Sequence, residues 1–172
     1  MTAFRVRIPQ HQAKLVALAV GYHLARPGAE IDPGTMSNYK HGLRELAPVV
    51  EAQLDQPHAI FDLSPLQGVL LSTAFSSVLS ELKMYSIFDR MAGDSRRPRS
   101  TATGFDDHLR DLFPEIAGDP AYASQLAEEM ALLRRELPFA RAREALEEER
   151  QAAEAARRER KGWRFWKRGG TP

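Results

Sequence analysis

The chain has 172 residues, of which 43% are hydrophobic and 27% charged, with a net charge of +1. That length and apolar content make one domain with its own core the default. The absence of cysteine removes disulfides, thiolate nucleophiles and Cys-based zinc sites, and fits a reducing compartment such as the cytoplasm.

Residues Met1 to Arg7 hold no apolar core before the first charges, which speaks against a cleaved signal peptide and places the mature start near Met1. Phe4 to Ile8 is the one segment with strand character. Pro9 sits at the first turn of an expected helix to about Ala25, whose Leu15, Val16, Leu18, Val20, Tyr22 and Leu24 predict deep burial. Arg26-Pro27-Gly28 ends it, and Asp32-Pro33-Gly34-Thr35 starts the next. There Met36, Tyr39, Leu43, Leu46, Val50 and Leu54 form an amphipathic stripe, with a kink or break expected near Ala47 because Pro48 lacks an N–H.

Pro57 to Leu63 reads as a connector. Ser64-Pro65-Leu66-Gln67 then matches a capping box with proline at the first helical position, opening a long central helix from Pro65 to about Ala92. Apolar residues cover most of its circumference. The remaining strip, Ser72, Thr73, Ser76, Ser77 and Ser80, predicts back-bonding to the helix carbonyls and a close crossing, within the fold or between subunits. Uncharged from Ser64 to Ser80 but rich in Ser and Thr, it is too short and polar to span a membrane.

Gly93 to Thr101 reads as an exposed loop whose Arg96, Arg97 and Arg99 are candidate phosphate contacts. Thr103 and Asp106 cap a short helix through Phe113, and Asp119-Pro120 opens another with Tyr122, Leu126, Met130, Leu133 and Leu137 on one seam. After Pro138 the composition turns to Ala, Glu and Arg, which predicts an exposed helix supported by pairs such as Arg150 with Glu154 and Glu154 with Arg158.

The expected architecture is therefore all-α: five or six helices in residues 1–137 around a long central one, an exposed charged helix over 138–161, and a flexible basic aromatic tail over 162–172. Charge is concentrated at that end. Residues 1–93 hold eight basic and eight acidic groups, 94–137 six and nine, and 138–172 ten and six.

The strongest functional signal lies in the same place. Both tryptophans of the chain, Trp163 and Trp166, flank Phe165 and are interleaved with Arg164, Lys167 and Arg168, behind Arg157, Arg158, Arg160 and Lys161. Rings that insert beside fixed positive charge suit an anionic surface, either membrane headgroups or nucleic acid. The leading expectation is a non-enzymatic interaction or scaffold protein, self-associating and docked through this end, in the cytoplasm or at the inner membrane face.

A second reading is a small DNA-binding regulator using the helix over 35–46. Thr35, Ser37, Asn38, Lys40 and Arg44 carry the polar and basic groups that could read base edges and phosphates. The third reading is an enzyme with a dispersed site, since the chain has no nucleophile elbow, S-x-x-K arrangement or phosphate-binding loop. His41 with Glu45, and Asp106, Asp107, His108 and Asp111, read as solvated or capping groups, so no metal, cofactor or catalytic residue is assigned.

Overall fold

The computed structural model describes residues 3–26, 42–91, 104–119 and 121–168, and for 86, 88–91 and 159–168 it describes the backbone. Strand β1, Phe4–Pro9, pairs antiparallel with β2, His58–Leu63, from Phe4 opposite Leu63 to Pro9 opposite His58. One face of this two-stranded sheet is buried through Val6, Ile8, Ala59, Phe61 and Leu63, and the other carries Arg5, Arg7, His58, Ile60 and Asp62 into water. The all-α expectation is thus corrected, because His58 to Leu63 is a strand rather than a connector. Its inward residues alternate with period two as a half-buried strand requires, but Ile60 on the wet face hides the alternation. The Gln53 side chain completes the outer edge at Ile60, accepting from its N–H at 2.7 Å and donating to its carbonyl at 3.0 Å.

Helix α1, Gln10–Ala25, follows β1 directly with Pro9 as its N-cap residue, and it is buried from Leu15 through Val20. Helix α2, Leu43–Glu51, is shorter than expected. Gly42 is its N-cap residue in extended conformation, so the helix cannot run unbroken from Thr35 to Leu46, and residues 33–41 lie outside the described residues. Pro48 lies inside α2 without ending it; the helix closes one turn later.

Helix α3, Pro65–Met91, begins where the sequence predicts. The capping box is reciprocal: the Ser64 N–H donates to Gln67 Oε1 at 2.9 Å, and the Gln67 N–H donates to Ser64 Oγ at 3.2 Å. Gln67 is buried, and its Nε2 also donates to the Gly42 carbonyl at 3.2 Å, tying the start of α2 to the start of α3. Ser64→Ala is expected to cost about 1 kcal/mol in urea unfolding. Gln67→Leu should cost more, about 1–3 kcal/mol, because it removes the bond to the Gly42 carbonyl as well as the acceptor of the Ser64 N–H. Equal effects would show that the bond to Gly42 adds nothing.

Helix α4, Phe105–Leu112, starts at Gly104, whose φ of 75° is the left-handed conformation that favours glycine. Gly104 therefore takes the N-cap place assigned to Thr103, which lies outside the described residues. A single 3₁₀ turn, Pro114–Ala117, leads to α5, Tyr122–Glu136, where Asp119 Oδ1 accepts from the Ala121 N–H at 2.9 Å. Helix α6, Phe139–Arg168, is the last element among the described residues.

Helix α3 packs against α1, α2, α5 and α6. Tyr22 of α1 meets Phe105 of α4 edge to face at 5.4 Å and donates its hydroxyl to Glu81 of α3. Phe75 and Phe139 join α3 to α6 in the same geometry at 5.6 Å. Burial of α3 is not complete around its circumference, since Met84 and Ile87 are each close to half exposed. No helix among the described residues is long and apolar enough to cross a membrane.

Candidate functional site

The carrier of the basic aromatic residues is α6, whose first turns belong to the body. Phe139 and Ala142 are buried, and Ala142 meets α3 at Gly68, where an added Cβ would stand 2.5 Å from the Ala142 Cβ. The Arg141 guanidinium lies over the Phe4 ring, 5.8 Å from its centroid, so the root of α6 also grips β1. Ala145 and Leu146 are half-buried, and every residue from Glu147 to Arg158 is exposed. The exposed part therefore starts at Glu147, not at Pro138.

Helix α6 does not stop at Lys161. Its backbone continues as helix through Gly162 to Arg168, while residues 169–172 lie outside the described residues. At a rise of about 1.5 Å per residue, Trp163 is roughly 25 Å along the axis from Leu146, and Arg168 roughly 33 Å. The arm survives as helix on alanines and local pairs: Arg150 with Glu147 at 3.5 Å and Arg158 with Glu154 at 4.0 Å. Arg150 turns back to Glu147 instead of forward to Glu154.

The other expected contacts fare differently. Arg96, Arg97 and Arg99, and Thr35, Ser37, Asn38 and Lys40, lie outside the described residues. Arg44 is exposed in the first turn of α2. His108 is spent inside the fold: its Nε2–H donates to the Ala17 carbonyl at 3.4 Å and sits where only a glycine, Gly21, leaves room on α1. Asp106 and Asp107 occupy the first turn of α4, where carboxylates face the positive end of the helix.

Two groupings escape sequence reading because their members come from different helices. The His11 ring of α1 is hydrogen-bonded through Nε2 to the Glu129 carboxylate of α5, with the Phe113 ring edge-on at 5.5 Å. Nearby, the Tyr122 hydroxyl is pushed above its ordinary pKa by burial, then by the negative charges of Glu115 and Glu129. This cluster clamps α1 to α5; among the described residues no hydroxyl is hydrogen-bonded to His11.

The second grouping is the serine strip. Thr73, Ser76, Ser77 and Ser80 donate back to the carbonyls of Val69, Ser72, Thr73 and Ser76 at 3.0–3.3 Å, as expected. Together with Ser72 they line an open groove whose remaining walls are Arg134 of α5 and Arg143 of α6. Periodicity shows the strip, but nothing local in the sequence brings those two arginines to it. No family model, curated protein or solved structure matches this chain.

Proposed function

We propose that this chain is a non-enzymatic helical interaction protein that self-associates and docks on anionic membrane headgroups through the far end of α6. The observation that carries the reading is the run of twelve exposed residues from Glu147 to Arg158, which separates the basic aromatic end from the body. A helix that is polar all round contributes little to a core. It makes sense as a spacer for what it carries.

That load is chemically biased. From Arg157 to Arg168 there are seven basic residues and one acid, with three aromatic rings in the last six positions. Each basic residue near an anionic leaflet contributes about 1 kcal/mol, and indole rings favour headgroup depth. Trp163 and Trp166 are three positions apart, a spacing that suits one helical face. Nucleic acid fits less well, because residues 1–93 are balanced in charge and 94–137 are acidic, so the excess of positive charge belongs to the arm. The DNA-regulator reading loses support from the extended backbone at Gly42, which interrupts the helix it needs.

The test is co-sedimentation with vesicles of phosphatidylglycerol and phosphatidylcholine, using the full chain and a chain ending at Lys161, with single-stranded oligonucleotide titrated in parallel. The full chain should pellet with anionic vesicles and release with salt, and the shortened chain should stay in solution. Equal pelleting of both chains removes the role of the aromatic end; tight binding to oligonucleotide with none to vesicles replaces membrane by nucleic acid.

A further inference from the structure

The groove on α3 has a shape and chemistry that ask for an occupant. Its floor, Ser72 to Ser80, covers nine residues and so about 12 Å of helix from first to last, and the space above it is about 380 Å³, wide open on one side. Small side chains there let another backbone come close, while the shallow form suits a helix better than an enclosed small molecule. Ser72 adds an independent sign. It is only 6% exposed, yet its hydroxyl lines the groove and has no hydrogen-bond partner among the described residues. At the rim, neither Arg134 nor Arg143 has an ion-pair partner among the described residues. Two guanidinium groups without ion-pair partners at the rim of a hydroxyl-lined groove favour a carboxylate-bearing partner.

The matching surface lies on the same chain. Residues 147–156 of α6 carry Glu147, Glu148, Glu149 and Glu154 against Arg150, with alanine at 152, 153, 155 and 156. All are exposed, and Glu148 and Glu149 have no ion-pair partner among the described residues. This segment cannot enter its own groove, because Arg143 on the same continuous helix already forms a wall of it. We infer that the serine groove of one copy receives the acidic, alanine-rich segment 147–156 of a second copy, in a reciprocal dimer of antiparallel α6 arms held by Arg134 and Arg143 against Glu148 and Glu149. Such a two-fold exchange uses the same patch on both subunits. It rests on the self-association in the reading above and names its surface, and it directs both aromatic ends outward from one assembly.

Sedimentation equilibrium of the full chain over a concentration series decides it. The wild type should be a dimer weakened by salt. Thr73→Trp with Ser80→Trp fills the groove from two exposed positions, and Arg134→Glu with Arg143→Glu or Glu148→Arg with Glu149→Arg reverses one side of the contact. Each pair should raise the dimer dissociation constant on the order of a hundredfold, with melting temperature close to that of the wild-type monomer. Combining the two charge reversals should restore the dimer. A wild type that stays monomeric, a dimer indifferent to all three pairs, or charge reversals that fail to rescue each other would overturn the inference. So would inorganic phosphate that stabilises a monomeric wild type and not the Arg134→Glu, Arg143→Glu variant, since the groove would then be an anion site. Vesicle binding is read separately on the full chain carrying Trp163→Ala and Trp166→Ala, which should lose vesicles and keep the dimer; a failure of docking therefore leaves the dimer test standing.

Discussion

Replacing Gly68 with alanine is expected to destabilise this protein, although the same change in an open helix would stabilise it. Alanine has a helix propensity better than glycine by about 1 kcal/mol. At Gly68, however, the new methyl would stand 2.5 Å from the Ala142 Cβ, and that atom is fixed to the α6 backbone rather than to a flexible side chain. Relief requires α6 to move away from α3, loosening the buried contacts of Ala142 and the edge-to-face pair of Phe139 with Phe75. Overpacking of this kind costs about 1–3 kcal/mol, so the clash outweighs the propensity gain. The midpoint of urea unfolding should fall for Gly68→Ala and recover in the double variant with Ala142→Gly, where the two methyls no longer compete. A Gly68→Ala protein more stable than wild type would mean that α6 is not seated on α3 as described.

The same helix pair shows how much could be read from residues alone. Ser64-Pro65-Leu66-Gln67 announced the start of α3 to the residue, because a capping box is a local code whose bonds span only three positions. The back-bonded serine strip was likewise legible, since each hydroxyl finds its partner one turn back. The second strand was not. Its six residues include an exposed Ile60, and its stability comes from β1, some fifty positions earlier, and from the Gln53 amide on its free edge. The start of α2 was misplaced for a related reason. Its amphipathic stripe continues on both sides of Gly42, while the extended turn there is held by Gln67 from another helix. The arginines of the groove and the His11–Glu129 pair depend on how helices pack, which no local spacing encodes.

For the end of α6, the spacing of rings and charges pointed to an anionic partner but not to the form in which they are carried. Helix was expected to give way at Gly162, the residue least favourable to a helix apart from proline. The backbone instead continues to Arg168. That continuity sharpens the expected size of the truncation effect. Cutting after Lys161 removes Arg164, Lys167, Arg168 and all three rings of the end, while Arg157, Arg158, Arg160 and Lys161 remain. Three basic residues at about 1 kcal/mol each already correspond to roughly a hundredfold loss of vesicle affinity, and loss of the rings adds to it. Whatever binding remains rests on charge alone and should be abolished by salt.

Tryptophan emission offers the most direct test, since Trp163 and Trp166 are the only tryptophans and the spectrum therefore reports on nothing but the end of α6. In the absence of vesicles the emission maximum should lie at the long-wavelength position of indole in water. Adding phosphatidylglycerol vesicles should shift it to shorter wavelength and protect it from an aqueous quencher, and neutral vesicles should not. Emission already at short wavelength in the free protein, and unmoved by anionic vesicles, would mean that both rings are packed against protein, which would contradict the docking role assigned to this arm.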